Sequence, residues 1–163
     1  MIGKVSVRIM DNRNSYFFEL NRNITVLTGE SGRGKTTLFE MIEDYNRNGS
    51  ASGVKLICDH QVIAIGDRNW QEEISEHENS VMVIDEDNKF IRTHEFADAV
   101  KKSSNYFLLI TRSYLEQLPY SVTEIYEISG TKNKKFKNVY SGTDYIYKVS
   151  PVTPLYFSLN MPK

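Results

Sequence analysis

The sequence predicts an α/β fold, in which helices flank a mostly parallel sheet and antiparallel strands are added at both ends. Three observations favour this class. Short apolar runs alternate with helix-prone segments through the middle of the chain, as in parallel strands joined by crossover helices. Strand-like segments joined by polar turns occupy both ends. The 163 residues, 40% of them hydrophobic, suffice for one domain with a core.

The first elements are three predicted strands. Apolar and polar residues alternate over 4–9, which is typical of a half-buried strand. A polar turn at 11–14 separates this run from a second strand over 16–20, so the two form a predicted hairpin. After another polar break, the β-branched run 24–28 predicts the third strand.

The middle of the chain predicts alternating helices and strands. Residues 36–44 place apolar side chains at helical spacing, and a polar loop over 46–53 follows. The predicted strands of this part are 54–58, 62–65, 81–84 and 106–110. The predicted helices are 69–78, which Trp70 anchors to the core, 93–102, and 113–118, which Pro119 ends.

The last part of the chain predicts three late strands, over 123–128, 136–140 and 145–149. Pro151 and Pro154 cannot donate to a sheet ladder, so 151–163 is predicted to be an irregular or edge-pairing tail. We therefore expect a single domain over 1–150.

A phosphate-binding motif lies between the third strand and the first helix. Residues 29–36 read GESGRGKT and match G-x-x-x-x-G-K-[ST], the P-loop. Its backbone N–H groups and the following helix attract polyphosphate, Lys35 reaches the β- and γ-phosphates, and the Thr36 hydroxyl ligates Mg²⁺. Arg33 contacts phosphate or faces solvent. The predicted nucleotide-binding residues are Gly29, Glu30, Ser31, Gly32, Arg33, Gly34, Lys35, Thr36 and Thr37.

Two later strands end in polar residues that complete a predicted catalytic site. The apolar run 81–84 is followed by Asp85 and Glu86. We predict that Asp85 holds Mg²⁺ together with Thr36, and that Glu86 activates an attacking water. Arg112 follows the next buried strand, where it either senses the γ-phosphate or pairs with a surface carboxylate. The predicted catalytic residues are therefore Glu86, Lys35 and Arg112.

These motifs resemble those of ABC-type ATPases, a family of P-loop NTPases. Residues 28–37 resemble their Walker A sequence, Asp85 and Glu86 resemble the acids of Walker B, and 109–112 resemble their switch strand. The resemblance covers roughly 1–45 and 80–128 and implies ATP and Mg²⁺ as cofactors. It also implies that Tyr16 or Phe17 stacks on adenine, although packing of these residues into the core is the alternative.

The chain also departs from that family. Residues 66–80 contain nothing like the L-S-G-G-Q signature, and the helical subdomain that carries it is missing. Gln61 is the one candidate for the glutamine of the family's Q-loop, and Arg112 replaces the switch histidine. The sequence thus resembles a minimal ABC-type ATPase domain in which the usual head-to-tail ATP sandwich is not expected.

We expect an ATP-binding protein that works as a slow Mg²⁺-dependent ATPase, either as a nucleotide-controlled switch or as an accessory subunit. The alternatives are a regulatory module that binds nucleotide without hydrolysing it and a small P-loop kinase. The expected partners are the nucleotide and either another protein or a second copy of the chain.

Charge and composition limit the other classes of function. The net charge is −1, so a nucleic-acid contact depends on one lysine cluster, for which a lysine-rich turn or edge strand is the alternative. The lone Cys58 is expected in the core, and no secretory signal or membrane span is visible, so we expect a cytoplasmic protein without membrane contact. The lysine cluster comprises Lys132, Lys134, Lys135 and Lys137.

Overall fold

The computed structural model describes residues 3–140, which form one nine-stranded mixed sheet with three α-helices. The strands are β1 (Val5–Met10), β2 (Ser15–Leu20), β3 (Ile24–Thr28), β4 (Lys55–Ile57), β5 (Val62–Ile65), β6 (Val81–Asp85), β7 (Tyr106–Ile110), β8 (Ile125–Ser129) and β9 (Asn133–Asn138). The helices are α1 (Lys35–Asn48), α2 (Trp70–Glu76) and α3 (His94–Lys102), and short 3₁₀ turns cover Gly49–Ser52, Lys89–Arg92 and Val122–Glu124.

The strand order is β4-β1-β2-β9-β8-β3-β7-β6-β5. Five neighbouring pairs are parallel, namely β2–β9, β8–β3, β3–β7, β7–β6 and β6–β5. Three pairs are antiparallel, namely β1–β2, β1–β4 and β8–β9. The hairpin predicted at the start of the chain is confirmed, with Val5 opposite Leu20 and Met10 opposite Ser15.

The predicted fold class is wrong. The described chain is a strand-rich mixed sheet, with three antiparallel pairs beside its five parallel ones and three short helices of 14, 7 and 9 residues, in place of the predicted helix-flanked parallel sheet. Antiparallel strands do not occupy both ends, because the sheet finishes in the parallel pair β6–β5, while the antiparallel pair β8–β9 lies inside it. The cause is the insertion of β9 between β2 and β8, a long-range pairing that local patterns do not encode.

The core occupies both faces of the sheet. Helix α1 packs on β5 and β6 and buries Leu38, Met41 and Ile42, which share one face at helical spacing, in a cluster with apolar residues of those strands. On the other face, α2 and α3 contribute Ile74 and Phe96 to a second cluster. Strands β6 and β7 are buried on both sides, which explains their uninterrupted apolar sequences.

Several local predictions are corrected in detail. Helix α1 continues through Asn48, four residues beyond the predicted end at residue 44. The predicted helix over 113–118 is absent from the described chain, where the Ser113 N–H donates to the Thr111 hydroxyl and the Leu115 N–H donates to the Tyr120 hydroxyl. These local side-chain bonds compete with a helical ladder. The predicted strand 145–149 and tail 151–163 lie outside the described residues.

The aromatic cluster beside α2 confirms the predicted anchoring role of Trp70. Its ring stacks on Phe90 with centroids 4.7 Å apart and meets the edge of Phe96 at 5.7 Å. Such pairs add about 1 kcal/mol each beyond their buried area. Across residues 3–140, none of the helices combines the length and the apolarity needed to cross a membrane.

Candidate functional site

Three adjacent parallel strands bring the predicted site residues to one edge of the sheet. In the β3–β7–β6 ladder, Leu27 pairs with Ile110 and Ile110 pairs with Asp85, so the carboxyl ends of the three strands lie level. The loop 29–34 follows β3, Arg112 lies two residues beyond β7, and Glu86 follows β6. Loops at the carboxyl ends of such strands are common ligand sites.

The glycine-rich loop, residues 29–34, ends at a position that strongly favours glycine. Gly34 has φ +101°, and a Cβ built there would lie 3.0 Å from Tyr16 Oη and 3.2 Å from Lys134 Cε. The left-handed backbone and the close neighbours both disfavour a side chain at this position. The Tyr16 hydroxyl also donates a 2.8 Å hydrogen bond to the Gly34 carbonyl, which ties β2 to the start of α1.

Lys35 is the buried cation at the base of this loop. The residue is only 8% exposed. Its Nζ donates to the Gly29 carbonyl at 2.5 Å and to the Glu30 carbonyl at 2.9 Å. Burial lowers the pKa of Lys35 and the charge of Arg112 lowers it further, whereas the carboxylates of Glu86 and Asp85 act in the opposite direction.

A cleft of about 690 Å³ opens beside the loop. Most of the predicted site residues line it, and they are Ser31, Gly32, Arg33, Gly34, Lys35, Thr36, Thr37, Glu86 and Arg112. Gly29 and Glu30 instead border a smaller hollow of about 210 Å³. Asp85 is not among the described residues that line either space. The cleft has a further wall that the sequence did not predict, formed by Asn14, Tyr16, Gly130, Thr131 and Lys134.

Glu86 and Arg112 connect the ends of β6 and β7. One Glu86 oxygen, Oε2, accepts from the Arg112 backbone N–H at 3.0 Å and from the Thr111 hydroxyl at 3.4 Å. The other, Oε1, lies 3.8 Å from Arg112 Nε. The arginine thus has the carboxylate partner that was one of its two predicted roles, and it also lines the cleft.

Asp85 is half-buried at the end of β6. Burial raises its pKa, and the neighbouring charge of Asp87 adds to the effect. A cation beside Asp85 would offset that cost. Within the described part of the chain no group of three or more His, Cys, Asp or Glu side chains could hold a metal ion. A metal would therefore need Asp85, Thr36 and oxygen atoms of a ligand or water.

The structure also decides two local alternatives. Tyr16 is 1% exposed, with its hydroxyl bonded to Gly34, so it takes the core-packing role rather than the adenine-stacking one. Phe17 lies on the opposite face of β2, where the Arg8 guanidinium sits 4.8 Å over its ring. Arg33 is exposed, in agreement with the solvent-facing alternative. Its Nη2 donates to the Ile128 carbonyl oxygen at 3.4 Å.

The unpredicted wall of the cleft comes largely from the lysine cluster. The edge-strand interpretation of that cluster is wrong, because β9 lies between β2 and β8. Lys134 is buried on the same side as Phe136, while Lys135 and Lys137 are exposed on the other. The alternation of NKKFKN is the one sequence signal for this split, and the pairing with β2 had no local signal.

Comparisons with known proteins give no identification. No protein-family model matches the chain, and a search among curated proteins finds no match.

Proposed function

We propose that this chain binds ATP with Mg²⁺ in the cleft at the strand ends and hydrolyses it slowly, as a nucleotide-controlled switch. The observation that carries the proposal is Lys35, a buried ammonium whose partners are two loop carbonyls and whose neighbours are the carboxylates of Glu86 and Asp85. On binding, phosphate oxygens would replace the two carbonyls as acceptors of the Lys35 ammonium, so the buried cation would serve as a phosphate ligand.

The cleft suits a nucleoside triphosphate in charge and in size. Lys35, Arg33 and Arg112 place three cationic groups around the first turn of α1, whose free N–H groups favour anions. The volume of the cleft, about 690 Å³, lies in the range common for small-molecule sites. The choice of ATP rests on the resemblance of the loop to ABC-type Walker A sequences and on the absence of a guanine-recognition motif.

Mg²⁺ fits the oxygen donors of the site. Thr36 lines the cleft, and Asp85, which adjoins the lining residue Glu86 without lining the cleft itself, is a carboxylate that a cation would relieve of its burial cost. Magnesium is commonly held by one or two protein oxygens together with phosphates and waters, and it neutralises charge on the phosphates when bound.

In the ATPase mechanism, three residues of the chain have separate roles. Lys35 stabilises negative charge on the terminal phosphates, Glu86 orients and deprotonates the attacking water, and Arg112 senses the γ-phosphate. A displacement of Arg112 would carry the segment after β7 with it and change a surface for a protein partner or a second copy.

The single half-buried cysteine, Cys58, suits a reducing cytoplasm.

One observation favours a second candidate, a regulatory module that binds nucleotide without turnover. Both Glu86 oxygens already have partners, in the Arg112 N–H, the Thr111 hydroxyl and the Arg112 guanidinium. These contacts occupy acceptor positions on the carboxylate that an attacking water would otherwise use.

Nucleotide titration tests the proposal. The purified chain is titrated with ATP and Mg²⁺ by calorimetry, beside Lys35→Ala and a matched surface control, Lys55→Ala. We expect binding by the native chain and the control and its loss in Lys35→Ala. Equal affinity in all three would end the proposal. Phosphate release, measured alone and with candidate partners, then separates the ATPase from the module.

A further inference from the structure

Lys134 is a second buried lysine in the same cleft, and it comes from β9, far along the chain. The residue is 9% exposed and lines the cleft beside Gly34. Its Nζ donates a 2.7 Å hydrogen bond to Asn14 Oδ1 and lies 5.1 Å over the ring of Tyr16. Both partners are uncharged, so within residues 3–140 the ammonium receives a neutral acceptor and an aromatic face.

The two buried lysines share a further property. Among residues 3–140, neither Lys35 nor Lys134 forms an ion pair with a carboxylate. Lysines are seldom buried without a counter-charge, because removal of the ammonium from water is costly. The carboxylates of Glu86 and Asp85 still act on Lys35 at longer range, so Lys134 is the lysine whose counter-charge is missing among the described residues, and an anion bound in the cleft would supply it.

The position of Lys134 makes it distinct from Lys35. Lys35 contacts the Gly29 and Glu30 carbonyls at the start of the loop, whereas the Lys134 stem packs at the end, with Cε 3.2 Å from the Cβ position at Gly34. A polyphosphate chain that follows the loop would pass both ammonium groups in turn.

We propose that Lys134 is a second cationic ligand of the polyphosphate, contacting a different phosphate group from Lys35. This inference rests on the proposed nucleotide function and deepens it. Asn14 is the positioning residue, since its amide oxygen aims the Lys134 ammonium while leaving the charge unneutralised. Lys132, Lys135 and Lys137 are exposed and have no part in the contact.

The first experiment compares Lys134→Met with Lys135→Met, an adjacent exposed lysine on the other side of β9. We expect roughly 10- to 100-fold weaker ATP binding in Lys134→Met, as for a lost charge-assisted hydrogen bond, and native affinity in the control. Inorganic tripolyphosphate is used as a competitor, and its affinity for Lys134→Met should fall by the same factor. A loss for ATP without a loss for tripolyphosphate would place Lys134 on the nucleoside and overturn the inference.

A second variant keeps the test valid if Lys134→Met does not fold. Asn14→Asp changes no volume and puts a carboxylate against the Lys134 ammonium, so it should weaken ATP and tripolyphosphate binding. Asn133→Asp adds the same charge at an exposed position and should bind like the native chain. Native affinity in Asn14→Asp, with loss in Lys35→Ala, overturns the role of Lys134 alone. No binding by the native chain would instead end the proposed function itself.

Discussion

Glu86 and Arg112 are joined through both oxygens of the carboxylate. The Arg112 backbone N–H donates to Oε2 at 3.0 Å, and Nε lies 3.8 Å from Oε1. The arginine side chain is 58% exposed, so the ion pair itself adds little stability. The backbone bond is the more important one, because it fixes the orientation of Glu86 at the level where β6 and β7 end.

The first prediction concerns Glu86→Gln. A glutamine retains an oxygen that accepts from the Arg112 N–H, so the fold should be unchanged. Under the proposed ATPase mechanism, ATP should bind normally while phosphate release falls by about 100-fold or more, since loss of a general base has this scale. Calorimetry measures the first quantity and a phosphate-release assay measures the second.

Asp87→Asn is the matched control for that change, because Asp87 is exposed and one residue further along the chain. It should leave both binding and release close to native. Equal phosphate release by the native chain and Glu86→Gln would remove Glu86 from the mechanism, whereas no release by either protein would favour the module that does not hydrolyse.

The second prediction concerns Gly34→Ala. An alanine must adopt φ near +101° and place its Cβ 3.0 Å from Tyr16 Oη. We expect a loss of roughly 1–3 kcal/mol in the free energy of unfolding, the scale of a strained left-handed residue with a steric clash. Gly66→Ala is the control, since a Cβ there meets nothing within 4 Å and no positive φ opposes it. Urea unfolding of both variants decides the matter, and equal losses would contradict the steric argument.

The third prediction is a pH dependence caused by Asp85. Its pKa is raised in the folded chain by burial and by Asp87, so the folded state holds this proton more readily than the unfolded state. The native chain must then lose stability as the pH rises from 3.8, the ordinary value, through the raised pKa. Asp85→Asn removes that loss, so the variant should be the more stable at neutral pH without nucleotide.

Nucleotide reverses the comparison for Asp85. In the presence of ATP and Mg²⁺ the native chain should gain more stability than Asp85→Asn, because the carboxylate then serves as a metal ligand. Thermal unfolding with and without the ligand measures both effects. A variant that is less stable than the native chain at neutral pH in the absence of ligand would disprove the burial argument.

The sequence predicted the local elements well and the sheet poorly, for a physical reason. Apolar runs and polar breaks located β1, β2, β3, β5, β6 and β7 close to their observed bounds. These patterns report burial and say nothing of which strands pair. The insertion of β9 beside β2, which aligns Lys134 with Tyr16, depends on contacts across most of the chain.

The residues of the cleft also fall into two groups, those that local sequence patterns indicate and those that strand pairing alone brings there. The motif residues Lys35, Thr36 and Glu86 lie together because β3, β7 and β6 are neighbours, and short-range spacing was enough to find them. Asn14 and Lys134 reach the cleft only through the β2–β9 pairing. A lysine in a polar strand resembles any exposed lysine in sequence, so its burial had no signal.

The last prediction concerns Tyr16→Phe. At about pH 7 the variant loses the 2.8 Å hydrogen bond to the Gly34 carbonyl, which should cost about 1 kcal/mol in the free energy of unfolding. Burial, followed by the charge of Asp11, raises the pKa of Tyr16 to about 12, against 10.0 for an ordinary tyrosine. Above pH 10.0 the unfolded tyrosine therefore ionises while the folded one keeps its proton, and the native chain loses stability through this group as the pH rises. Phenylalanine has no such loss, so the gap between the two proteins should narrow or reverse from about pH 10 to about pH 12. Urea unfolding at the three pH values measures the gap, and a gap that widens with pH would contradict the buried, bonded state of the Tyr16 hydroxyl.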